Sequence, residues 1–451
     1  MSETLLIAGG TVIDPATRRE GRFDILIEDG AITNIKPAIP ARLDACPPAA
    51  PPPASQSSAR AGSAAQAGEG LTIVDASGKF VLPGFVDLHV HFRQPGREDK
   101  ETIETGSRAA VAGGFVAVCP MPNTAPAIDH GAAVEWARQE GARVGLVDVL
   151  PIGALTRGQR GEELTDFGEL FDAGCVALSD DGRPLANSLL MRRALEYAKV
   201  FGRPVIQHAE DPALSAGGVV HEGRMATVLG LRGIPSESEA VIVARDLALA
   251  ELTGGWVHVA HLSCSRSVEL IRQAKQRGVR VTCEVTPHHL ALTEEAVAEF
   301  DTAAKVNPPL RSEQDRHALS EGLKDGTIDC IATDHAPHTD WEKDADFDSA
   351  PFGISGLETA LGVCVTTLIK PGILSWSQLI EKLALNPARI AGLNRHGLAD
   401  GQPANLTLVD PDAEWTVDPR QFVSKGKHSP FAGRRLQGRV ASVIHRGTVV
   451  G

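Results

Sequence analysis

The chain has 451 residues, 43 % of them hydrophobic. That suffices for one closed barrel of about 250 residues plus a smaller domain, and it excludes a globally disordered chain. A formal charge of −13 with no basic stripe excludes a nucleic-acid surface. No apolar run reaches the roughly 18 residues of a membrane span, and MSETLLIAGG lacks a signal-peptide pattern, so a cytoplasmic protein without membrane or nucleic-acid partners is expected.

Residues 3 to 36 read as short strands broken by Gly-Gly and Asp-Gly turns. Residues 43 to 70 are almost entirely Ala, Pro, Ser, Gly and Gln. Such a stretch cannot offset its ordering entropy by burial, so a mobile, dispensable surface insertion is expected. From Gly84 onward eight strand-like runs alternate with helix-like segments. The runs are FVDLHVHF, GFVAVCPM, RVGLVDVLP, CVALSD, PVIQHAE, WVHVAHLS, VRVTCEVTP and DCIATDHAP. Regular βα alternation predicts parallel strands, and eight units predict a (β/α)8 barrel of the TIM type. A Rossmann-like sheet is the alternative, but no GxGxxG follows a first strand. Two further helix-like stretches and then short strands close the chain. The division expected is therefore 1–83 and 396–451 as the two parts of one β-sandwich-like accessory domain, flanking a barrel over 84–395. The seven cysteines show no CxxC spacing and read as buried free thiols.

Metal-type ligands sit at the ends of five of the eight runs. His89 and His91 are two apart on one strand, so both side chains share a face with Asp87, which lies a layer deeper and reads as support. His208 and His261 end the fifth and sixth runs and would complete a second metal position. His258, three before His261, reads as packing on the opposite side. A site for two metals needs a bridging ligand. No lysine lies between Lys100 and Lys199, so a carboxylate must bridge: Asp181 is favoured, with Asp180 the alternative. Asp334 ends the eighth run. A lone carboxylate there can take a proton from an activated water and return it to a leaving nitrogen. Arg93 offers a planar fork to a carboxylate, with Asn123, Asn307 and His338 within reach of the same mouth. Glu210 is a further group beside His208. A small acidic substrate with a C–N bond to break is implied.

The strings GFVDLHVHFRQPG, CMPNTAP, GCVALSDDGRPL, QHAED, HVAHLS, CEVTPHHL, KVNPPLR and ATDHAPH resemble the type I dihydroorotases of the amidohydrolase superfamily. The resemblance implies that His89, His91, Asp181, His208, His261 and Asp334 bind metal, usually two Zn2+, with Asp181 bridging and Asp334 also the acid/base. It implies that Arg93, Asn123, Asn307, His338 and the Phe352–Gly353 segment contact substrate. It further implies interconversion of N-carbamoyl-L-aspartate and L-dihydroorotate in pyrimidine synthesis, a homodimer, and in some relatives association with aspartate carbamoyltransferase. Hydantoinases, dihydropyrimidinases and allantoinases share the HxH but generally use a carboxylated lysine as the bridge. A non-catalytic scaffold for the transferase is the other reading, against which the full ligand set stands.

Overall fold

The computed structural model describes residues 4–37, 65–66, 71–393 and 397–451. The N-terminal apolar runs form β1 (Thr4–Asp14), β2 (Arg19–Glu28), β3 (Ala31–Pro37), the two-residue β4 (Ala65–Gln66), β5 (Leu71–Asp75) and β6 (Phe80–Pro83). Of the Ala/Pro/Ser-rich stretch, residues 43–64 and 67–70 lie outside the described residues; Ala65 and Gln66 pair antiparallel with β5.

The barrel follows. Its strands are β7 (Phe85–Val90), β8 (Phe115–Pro120), β9 (Asp148–Val149) continued by β10 (Gly153–Ala154), β11 (Leu178–Ser179) and β12 (Val205–Gln207). A short parallel pair, β13 (Val220–His221) and β14 (Gly233–Ile234), decorates the loop after β12. Then come β15 (Val257–Val259), β16 (Val281–Val285) and β17 (Cys330–Ile331). Neighbours pair in parallel, β7–β8–β9 and β10–β11–β12–β15–β16–β17. Ile152 donates to the Pro120 carbonyl at 3.0 Å and carries the ring across the β9–β10 break. A parallel bridge between Val90 and His335, with His91 N–H donating to the His335 carbonyl at 2.8 Å, joins the eighth strand to the first. The eight expected runs thus close into a TIM-type barrel.

The outer helices obey the amphipathic rule. In the helix Ser188–Phe201 the buried residues are Met191, Ala194, Leu195 and Ala198, spaced three and four apart along one face. Asn187 caps its start by accepting from the Leu189 and Leu190 amides, and Gly202 ends it at φ 67°. Among the described residues no helix is long and apolar enough to cross a membrane.

The chain then returns to the first sheet with β18 (Leu406–Thr416), β19 (Arg435–His445) and β20 (Thr448–Val449). The two chain ends build one nine-stranded sheet, ordered β20-β19-β18-β6-β1-β2-β3, with β5 and β4 branching from β1. Ile7, Val12, Ile25, Ile27, Val81, Leu406, Leu408 and Ile444 form its own core. The sheet is tied to the barrel by Asp148, which pairs with His445 at 3.2 Å and Arg446 at 2.7 Å. Burial pushes the Asp148 carboxyl up, but the hydrogen bond and charge of His445 and the charge of Arg446 outweigh it, so its pKa is lowered below 3.8. A depressed acid stabilises the fold above its unfolded pKa and ceases to do so as pH falls through the folded value. Asp148→Asn should therefore cost about 1–2 kcal/mol at pH 7 and much less near pH 3, read from urea melts at both pH values.

Candidate metal centre

Strand alternation places Asp87 and His89 on the inner face of β7, and His91 follows just past its end. Asp87 is fully buried and turns to the neighbouring strand end. It accepts from the His89 amide at 3.0 Å, the Thr333 amide at 3.1 Å and the Thr333 hydroxyl at 2.6 Å. It is thus a clamp between the first and eighth strands and does not touch a histidine ring. The strands beyond it bring six side chains together. His89 Nε2 lies 3.4 Å from Asp181 Oδ1 and 3.5 Å from Asp334 Oδ1. His91 Nε2 lies 3.0 Å from Asp334 Oδ1 and 3.5 Å from Asp181 Oδ2. On the far side His208 Nδ1 and His261 Nε2 approach to 2.9 Å, and sit 3.6 and 3.7 Å from Asp181 Oδ1. Asp181 is the one group that touches all four imidazoles. Asp180 is turned away: Thr156 donates to it through its amide at 3.1 Å and through its hydroxyl.

The ligand atoms of His89, Asp181 and His261, and those of His89, His91 and Asp334, each lie within 4.8 Å of one another. His89 Nε2, Asp181 Oδ1 and His261 Nδ1 are buried without a hydrogen-bond partner, which is costly unless something else satisfies them. His91 adds a second sign. Asn123 Nδ2 donates to Asp181 Oδ2 at 3.3 Å, which aims its Oδ1 at His91 Nδ1, 2.9 Å away. The ring proton is then on Nδ1, and the bare Nε2 faces the Asp334 carboxylate, two acceptors that a cation between them would satisfy. The field agrees. Burial opposes charge on His208, but bonds to Asp181 and Glu210 raise its pKa to about 10. Burial would raise Asp181 and Asp334 too, yet the surrounding histidines hold both below the usual carboxylate range. The donor set fits two divalent cations.

Backbone strain concentrates here. Arg93, His261 and Asp334 have φ of 53°, 29° and 48°, a region that non-glycine residues seldom occupy. The twist at His261 explains one departure from the expected pattern. β15 ends at Val259, so strand alternation does not extend to His261, and His258 faces inward, not outward: its Nε2 lies 3.1 Å from Glu284 Oε2.

Beside this ligand cluster lies a basic pocket. Arg93 Nη2 is 3.5 Å from His338 Nε2, and its Nε donates to the Pro337 carbonyl at 3.4 Å. Lys100 donates to His338 Nδ1 at 3.0 Å, so the ring proton is on Nε2, which donates to the Phe352 carbonyl at 2.8 Å. Burial, then the charges of Arg93 and Lys100, keep His338 neutral. Gly353 has φ 128°, and a Cβ there would fall 2.6 Å from the Ala336 carbonyl and 3.0 Å from His338 Nε2. Asn307 Nδ2 donates to Glu210 Oε2 at 2.6 Å, while its buried Oδ1 has no partner. His89, His91, Asp181, His208, His261 and Asp334 thus come together, with Arg93, Asn123, Asn307 and His338 close around them and the Phe352 carbonyl against His338.

The family model described as Dihydro-orotase-like matches residues 78–267. The dihydroorotase of Pelotomaculum thermopropionicum is 51 % identical over 446 residues, covering 99 % of this chain and 98 % of the relative. The chain belongs to the dihydroorotase family. The dihydroorotase of Anaeromyxobacter sp. (strain K) is also 51 % identical, over 452 residues, covering 100 % of this chain and 98 % of that one. Among solved structures, the L-hydantoinase (dihydropyrimidinase) of Arthrobacter aurescens superposes with a TM-score of 0.83 at 26 % identity, covering 100 % of this chain and 96 % of that one.

Within this dihydroorotase-family site three groups escaped the sequence reading. Glu284 accepts from His89 Nδ1 at 2.8 Å. It sits at an alternating position inside an apolar run, VTCEV, and a charge there was the available signal. Lys100 lies in the charged string REDKE, which reads as a solvated loop. His288 is buried with Nε2 unpartnered, and the charges that act on it are those of Asp334, His261 and His89. Nothing in TPHHL distinguishes it from a helix-packing histidine.

Proposed function

We propose that this chain is a dihydroorotase that interconverts (S)-dihydroorotate and N-carbamoyl-L-aspartate in pyrimidine synthesis. The observation that carries the reading is Asp181, a carboxylate at the centre of four imidazoles where hydantoinase-type enzymes generally use a carboxylated lysine. The basic pocket and 51 % identity to named dihydroorotases support it. His89, His91, Asp181, His208, His261 and Asp334 would hold two zinc ions. When bound, zinc lowers the pKa of water and polarises the attacked carbonyl.

The chain's own residues supply the rest. Asp334 accepts the proton of the attacking water as the new C–O bond forms. It returns that proton to the ring nitrogen as the C–N bond breaks, and the order reverses for ring closure. Acid favours closure, because the neutral carboxyl group is then the electrophile. Arg93 grips the substrate carboxylate with two parallel N–H donors, with His338 beside it. The free Oδ1 of Asn307 accepts from a ring N–H, and Asn123 orients His91 and Asp181. The fixed turn at Phe352–Gly353 holds His338 against the pocket.

Turnover of L-dihydroorotate measured beside hydantoin and allantoin tests the reading; activity on either of the latter, and none on dihydroorotate, would overturn it. Arg93→Lys keeps the charge and loses the fork. It should raise KM for dihydroorotate about tenfold or more with a smaller change in kcat, checked by steady-state kinetics.

A further inference from the structure

Beneath the metal centre a row of polar side chains runs down the barrel core. The register of β15 on β16 sets His258 beside Thr282, and alternation puts Thr282 and Glu284 on one face. Trp256 Nε1 donates to Thr282 Oγ1 at 2.9 Å. Thr282 Oγ1 lies 2.8 Å from His258 Nδ1, and His258 Nε2 lies 3.1 Å from Glu284 Oε2. The other Glu284 oxygen is 2.8 Å from His89 Nδ1. His89 and His258 are fully buried, and Glu284 is 1 % exposed. His89 Nε2, alone in this row, makes no hydrogen bond.

The ends of the row fix its direction. An indole N–H only donates and a carboxylate only accepts. Glu284 therefore receives protons from His89 Nδ1 and His258 Nε2. The Thr282 hydroxyl receives the indole proton and gives its own to His258 Nδ1. An imidazolium at His258 would instead bury a positive charge below a site built for cations. The geometry points to Trp256, Thr282, His258 and Glu284 as a positioning chain that locks His89 in the Nδ1–H tautomer and aims its Nε2 lone pair at a divalent cation. In the other tautomer an N–H would face the cation, so the lock acts on metal affinity. The inference rests on the reading of His89 as a zinc ligand. The ligand-type atoms of His258, Glu284 and Cys330 also lie within 4.8 Å of one another. Both nitrogens of His258 and both oxygens of Glu284 are already engaged in the row, so the set serves as a support and not as a third cation site.

The test uses the full chain labelled with [15N]histidine and stripped of zinc. Nitrogen shifts should show His258 protonated on Nε2 only and His89 carrying a proton on Nδ1, with signals assigned through His258→Gln and His89→Ala. Thr282→Val should weaken zinc binding about tenfold in chelator competition, and Thr282→Ser should restore it. A His258 ring protonated on Nδ1 or on both nitrogens would overturn the proposal. So would wild-type zinc affinity in Thr282→Val, or a third zinc equivalent lost with His258→Gln. Retention of both zinc equivalents by His89→Ala would instead overturn the ligand reading, since the tautomers are read without metal.

Discussion

Asp334→Asn should keep its zinc and lose about 10³-fold in kcat. The side chain is largely buried, and its oxygen lies 3.0 Å from His91 Nε2. Burial alone would push this acid up. The charges of His89, His91 and His261 and the bond to His91 outweigh that and hold it well below the usual range. It therefore stays an ionised acceptor across the working pH, ready to take a proton. Asparagine preserves size and one oxygen but carries no basic site, so metal retention and turnover separate. Metal analysis and steady-state rates on the same sample give the answer; a variant within about tenfold of the wild-type rate would refute the proton-transfer role.

Asp181→Ala should lose at least one of two zinc equivalents and, with it, about 10³-fold or more in turnover. Every imidazole of the centre faces this carboxylate across 3.4 to 3.7 Å. Removing it takes away the one carboxylate that all four rings share. A ligand bound only by the native state stabilises it by mass action, about 4 kcal/mol at a thousandfold excess over its Kd. Chelator should therefore lower the melting temperature of the wild type markedly and that of Asp181→Ala little. An equal drop in both, with full metal content in the variant, would remove Asp181 from the centre.

The barrel and the convergence of the ligand strands were legible because both follow from periodicity. Alternating residues on β7 must share a face, and parallel βα units must present their strand ends to one mouth. The missing lysine pointed to a carboxylate bridge, but only the family pattern separated Asp181 from Asp180; Thr156, which claims Asp180, comes from a different strand end and left no local trace. His258 was misread because alternation was extended past the end of β15 to His261, whose φ of 29° breaks it. Lys100 was hidden by its charged neighbours, since only the fold shows that its ammonium reaches His338, 238 positions away. Long-range partners of this kind are a property of the closed ring and of no single segment.

The closure of that ring between β7 and the eighth strand has a consequence for how the protein is made. His91 and Asp334 meet across 243 positions of sequence, and the two strands are adjacent only after the last one docks. The first histidines leave the ribosome long before their carboxylate partner exists. No partial barrel can hold the complete donor set, so the full constellation exists only once the ring has closed. Long-range closure of this sort is the slow class of folding event. A chain halted before residue 334 carries five of the six donors but lacks the strand that closes the ring around them.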